Sequence, residues 1–208
     1  MIKKTGKVMV VSLLTTFLFS SVAFAADLGT LNYWYSDKDI INRWGYKSMS
    51  IWSGSIDGFS TSKFASYVSH AISQWNSAGF SLSGEDDETD SVIRIYGGTY
   101  NTLKEMEPSL KTSNTGLTSY DGGTKYEGEW IYSGSEKSSY KISSPVNVYI
   151  VYKSGRSDSG FKKTSTHELG HALGWRGHSS RSSDVMYGSA SEVTQLTSRD
   201  KNHLLQVY

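Results

Sequence analysis

Two histidines and a glutamate carry the clearest chemistry in this chain: His167-Glu168-Leu169-Gly170-His171, an H-E-x-x-H arrangement. On a helix, positions four apart lie on one face, so two imidazoles spaced in this way can reach one cation together. Imidazole nitrogen donates to zinc while staying neutral, and a catalytic zinc keeps one position open for water. A carboxylate beside the first ligand can reach that water and act as its general base, which is the role the spacing offers Glu168. With 5 His in 208 residues, a random chain of this composition would show the pattern about 0.005 times. The plainer alternative is a histidine pair on a solvated helix.

Such a site needs a third protein ligand. Gly174 lies three residues after His171 and can adopt positive φ, so a helix can stop there and turn. His178 lies four residues further on. Glu192, 21 residues after His171, is a rival for the third position.

The stretch HELGHALGWRGH, His167 to His178, resembles the extended zinc motif of the metzincin metallopeptidases, H-E-x-x-H-x-x-G-x-x-H. It departs in one respect. Trp175, Arg176 and Gly177 separate the glycine from the last histidine, where the family has two residues. In strict register the third ligand would fall on Gly177, which has no side chain. Ser183-Asp184-Val185-Met186-Tyr187 looks like the Met-turn that underlies the zinc site in this clan. Met186 follows His178 by eight residues, the separation expected in matrixin-like members. The resemblance therefore implies that His178 is the ligand and that the extra residue is a bulge, which Gly177 would ease. Met186 could otherwise simply fill the core.

Other segments carry the same resemblance. Ala71 to Asn76 with Ala78-Gly79-Phe80 is similar to the first helix of matrixin-like domains. Ser91 to Ile95 is similar to the strand that follows, and Leu196 to Tyr208 to the closing helix. The fold so implied is α+β: a metzincin-like zincin domain with a twisted, mostly parallel sheet and one antiparallel edge strand that binds extended substrate. An early helix, an active-site helix and a C-terminal helix accompany it. The resemblance also implies one catalytic Zn²⁺ on His167, His171 and His178, with Glu168 as general base and Tyr187 helping to wall the substrate pocket. The activity expected is that of a secreted zinc-dependent endopeptidase hydrolysing proteins or peptides. The alternatives are a zinc-binding secreted module of the same fold with little or no catalysis, and a structural wall-associated protein.

These residues need elements to hold them. Lys47–Trp52 alternates and reads as a strand. Thr61–Gly79 reads as a helix, because Phe64, Val68, Ala71, Ile72 and Trp75 fall on one face; Thr61 or Ser62 can cap it and Gly79 can end it. Ser91–Tyr96 alternates and is rich in β-branched residues, so it reads as a strand. Gly97–Ser144 is rich in Gly, Ser and Thr and too long for one plain loop. Short strands are expected there near Gly116–Tyr120, the candidate edge, and Glu129–Tyr132. Val146–Tyr152 gives the strongest strand signal, Phe161–Trp175 the central helix, and Thr197–Tyr208 a final helix with Thr197 and Asp200 as a capping box.

Composition excludes other classes. The hydrophobic fraction of 37% and charged fraction of 20% are those of a folded chain. A formal net charge of +1 argues against a nucleic-acid partner. Without Cys there is no thiol nucleophile, disulfide framework or cysteine zinc site. Lys3, Lys4 and Lys7, the apolar run Val8–Phe19, and Ala23-Phe24-Ala25 read as a signal peptide over residues 1–25, too short to span a bilayer. Residues 26–208 then form the catalytic domain, expected to be secreted, monomeric and without a membrane partner after cleavage. His70 and His203 read as surface residues rather than ligands. The acidic run at 85–90 could bind Ca²⁺ but lacks a recognised loop pattern, and a solvated turn is the simpler reading.

Overall fold

A computed structural model describes residues 40–132 and 135–208. The expected signal peptide, residues 1–25, lies outside the described residues. Strands β1 (Ile40–Arg43) and β2 (Ser48–Ser55) lead into helix α1 (Thr61–Asn76). Phe64, Val68, Ala71 and Trp75 are buried on α1 with Tyr67 beside them, so the apolar spacing in the sequence is the face that packs. Ser60 stands at the N-cap position, one residue ahead of the expected Thr61, and its side chain makes no capping hydrogen bond. Then come β3 (Ser81–Glu85), β4 (Ile93–Gly98) and the short helix α2 (Tyr100–Met106). The strand β5 (Gly116–Ser119) precedes a hairpin of β6 (Thr124–Tyr132) and β7 (Ser135–Ile142), and β8 (Val146–Val151) follows. Helices α3 (Asp158–Ala172) and α4 (Ser198–Leu205) complete the order.

Five strands form the main sheet in the order β3-β2-β4-β8-β5. All pairs are parallel except β5, which runs antiparallel to β8 with Gly116 opposite Ile150 and Ser119 opposite Asn147. The expected antiparallel edge strand is therefore present at the expected residues. β8 is buried at every position, as a continuous apolar run is when a parallel strand is covered on both faces. A second sheet, β1-β7-β6, pairs β1 parallel to β7. Among the described residues no helix is long and apolar enough to cross a membrane.

Helix α3 lies against α1, where the buried Trp75 Nε1 donates to Thr166 O over 2.8 Å. It starts at Asp158, earlier than Phe161, because the Ser157 side chain accepts from Gly160 N and caps it. It ends at Ala172 rather than Trp175. Gly174 takes φ 110°, and a Cβ there would stand 2.3 Å from Asn42 O, so glycine both reverses the chain and permits its contact with β1. The end of α3 is tied down further: Trp44 Nε1 donates to Ala172 O (2.9 Å), and the Tyr208 hydroxyl donates to Leu173 O while accepting from Trp44 N. The capping box of Thr197 and Asp200 opens α4 as its spacing predicts.

Candidate metal centre

His167 and His171 sit one turn apart on α3, and Glu168 projects from the same helix. His167 Nδ1 lies 2.8 Å from Val185 O, and His171 Nδ1 lies 2.7 Å from Trp175 O. A carbonyl can only accept, so each Nδ1 carries the proton and each Nε2 presents a lone pair. Those two Nε2 atoms face one another at 3.1 Å. Two lone pairs at this distance repel unless a cation lies between them. Tetrahedral zinc, with bonds of roughly 2.0–2.1 Å, would set such nitrogens about 3.3 Å apart.

His178 closes the group. Its ring centroid is 5.1 Å from each of the other two, and one ligand nitrogen from each histidine lies within 4.8 Å of the others. Any remaining gap is on the His178 side, which is exposed and carried on a loop. Gly177 takes φ 69° just before it, a left-handed conformation that glycine adopts at no steric cost. Burial pushes all three imidazoles below their ordinary range, His171 to about 3 and His167 well down, so they stay neutral and fit to coordinate. The donor set thus fits a zinc ion.

The segment beneath is held from α4. Asp200 accepts from Val185 N (3.1 Å) and Met186 N (3.2 Å), and the buried Asp184 takes two charge-assisted bonds of 2.7 Å from Arg199. Ser179 N donates to Met186 O (2.8 Å), which ties the residue after His178 to the same turn. Met186 is fully buried. It packs against Gly170, where a Cβ would lie 2.6 Å from its Sδ, so the second variable residue of the H-E-x-x-H run has to be small.

Glu168 is buried at the wall facing β5. Thr118 Oγ1 lies 3.0 Å from its Oε2, and Gly116 approaches so closely that a Cβ would fall 2.6 Å from Glu168 Cγ. Burial pushes the carboxyl up to about 7, against the lowering influence of the Thr118 hydroxyl and the Lys163 charge. A carboxyl poised near neutrality can both take and return a proton. The cleft over the triad has a volume of about 550 Å³, bounded by β5 on one side and Gly188–Ala190 on the other. That is within the range of ligand-binding clefts.

A family model of the matrixins matches residues 48–208. The chain belongs to the matrixin family. Matrixins are zinc metallopeptidases of the metzincin clan, and this matrixin has the family's mixed architecture, with a mostly parallel sheet and one antiparallel strand. No curated protein sequence matches it.

The structure brings His167, His171, His178 and Glu168 to one cleft and Met186 beneath it. Tyr187 is the exception: this segment contributes Gly188, Ser189 and Ala190 to the cleft lining, while Tyr187 bridges back to Ser179 and its carbonyl accepts from Lys163. Glu192 stays away from the triad and accepts from Ser157 Oγ instead. His70 Nε2 contacts Thr194 O at 2.8 Å. His203 is not the surface residue expected. It is fully buried, with its ring centroid 4.4 Å from that of Trp175, because α4 turns this side toward the end of α3. In the acidic run, Asp87 accepts from Thr89 and Glu88 from the Tyr96 hydroxyl. Sequence reasoning missed Thr118 and Lys163, and also Arg156, which lines the same cleft. Only Lys163 left a signal, being four residues before His167 on the helix.

Proposed function

We propose that this protein is a secreted zinc endopeptidase, with residues 1–25 as a cleaved signal and 26–208 as the catalytic domain, and that it hydrolyses peptide bonds with Glu168 as general base. The observation that carries the reading is the pair of proton-free Nε2 atoms of His167 and His171 facing each other at 3.1 Å beside His178. His167, His171 and His178 would hold the ion. When bound, zinc supplies Lewis acidity, acidifying water and polarising the scissile carbonyl. Glu168 then takes a proton from the attacking water on its carboxylate and returns it to the departing amine. The Thr118 hydroxyl orients that carboxylate, and the Val185 and Trp175 carbonyls fix the two imidazole tautomers. A substrate in extended form would add to the outer edge of β5 through backbone hydrogen bonds.

The test is cleavage of casein and of a peptide library by the purified protein, with zinc and with chelator, for the wild type and His178→Ala. Chelator-sensitive cleavage that falls with zinc occupancy in the variant supports the reading. Zinc binding at full stoichiometry with no cleavage of any substrate would instead favour a zinc-binding module.

A further inference from the structure

Two cations in the cleft form no ion pair among the described residues. Lys163 is only 5% exposed, yet its Nζ reaches only the Tyr187 carbonyl (2.8 Å), the Ser189 carbonyl (3.3 Å) and His167 Nδ1 (3.4 Å). The last is itself a donor, bonded to Val185 O, so it contributes no acceptor. Arg156 lines the same cleft. Its Nη2 donates to Thr164 Oγ1 (2.6 Å) and Gly160 O (2.9 Å), whereas its Nη1 is buried without an acceptor. Among the described residues, neither cation pairs with a carboxylate within 4.0 Å. Glu168 and Asp200 act on Lys163, and Glu192 on Arg156, only through space.

A buried charge is expensive unless it is paired, and a buried guanidinium nitrogen without an acceptor adds to that cost. Such an arrangement is retained where a ligand completes it. Arg156 presents planar N–H donors and Lys163 a point charge, the combination that suits a carboxylate. Glu168 is not available for this role, because its carboxylate is held by Thr118 and committed to proton transfer.

We propose that Lys163 and Arg156 form a carboxylate-binding subsite beside the three histidines, so that the enzyme selects substrates presenting a carboxylate next to the scissile bond. The inference rests on the peptidase reading above. The carboxylate has two sources, an Asp or Glu side chain within the peptide or the free C-terminus of a peptide ending just beyond the bond.

The experiment uses quenched fluorescent peptides of one parent sequence. One set places Glu, Gln, Leu or Lys at each position flanking the cleaved bond, and a second ends close to that bond as free acid or amide. With the zinc-loaded wild type, kcat/KM for Glu over Gln, or for acid over amide, is expected to be about tenfold or more. The arm showing the ratio names the source. Lys at the selected position is expected to be the poorest substrate. Lys163→Met should bring the ratio near one while keeping zinc stoichiometry, and Lys163→Arg should retain it; should Lys163→Met not fold, the wild-type series decides alone. Cleavage of all peptides at similar rates overturns the subsite and leaves the peptidase reading standing. No cleavage of any peptide sinks the peptidase reading instead. Fluorescence anisotropy of the same labelled peptides on the metal-free protein then judges the subsite: tighter binding of the acidic peptides supports it, and equal binding overturns it.

Discussion

The Thr118 hydroxyl on the edge strand stands 3.0 Å from Glu168 Oε2 and 2.9 Å from the Glu168 carbonyl oxygen. One side chain thus links the strand proposed to receive substrate with the proposed base on α3. The bond favours the ionised carboxylate and opposes the upward push of burial. Thr118→Val is expected to raise the Glu168 pKa further. Because a general base works only when deprotonated, the acid limb of the kcat/KM profile should move to higher pH, by up to about one unit. An unmoved limb in the variant would mean that the hydroxyl does not touch the working carboxylate.

Glu168→Gln keeps the shape of the side chain and removes the basic oxygen. Zinc content is expected to match the wild type, while kcat falls about 10²- to 10⁴-fold. Metal analysis beside single-turnover kinetics checks both halves.

Gly116→Ala forces a methyl group to within 2.6 Å of Glu168 Cγ and 2.9 Å of both Glu168 Oε1 and Thr164 Cγ2. β5 must then lift from α3. Turnover should drop while zinc stays bound, at a stability cost of about 1–3 kcal/mol. Urea denaturation and a zinc titration measure these separately.

Asp200→Ala releases the Val185 and Met186 N–H groups and opens the capping box of α4. The Val185 carbonyl that orients His167 loses its support. Zinc affinity is expected to fall about 10- to 100-fold, an effect of the supporting layer on a ligand it does not itself supply. Competition with a chromophoric chelator reads the change.

Buried His203 has its pKa pushed down to about 3 by burial. The unfolded chain takes up this proton near pH 6.5, and the folded protein resists doing so until near pH 3. Its contribution is therefore present above about pH 6.5 and is lost as pH falls through that window, at up to about 1.4 kcal/mol for each pH unit. Metal-free His203→Gln should show a shallower loss of stability between pH 6.5 and 4 than the metal-free wild type in urea titrations.

The parts of the site that depend on local geometry were legible in the residues. H-E-x-x-H needs only the repeat of a helix, and Thr197 with Asp200 needs only one turn. Gly174 and Gly177 were readable because positive φ is rare for other residues. What depends on burial was not. Nothing in SRDKNHLL shows that His203 faces Trp175. Nothing in the run around Lys163 shows that a lysine lies against the Tyr187 carbonyl. β7 (SEKSSYKI) lacks an apolar alternation and holds its place through pairing with β1 and β6, partners distant in sequence or across a turn. α2 buries only Leu103, too little to give a helical pattern.

Trp44, near the start of the described chain, and Tyr208, its final residue, meet at the carbonyl end of α3, while Asp200 grips the turn below it. The helix that carries His167 and His171 is thus steadied by residues as far away as 44 and 208, well outside the H-E-x-x-H run. Contacts so far apart in sequence form late. The geometry proposed to hold the ion would thus be set only once the whole fold has closed, however early its local helix forms.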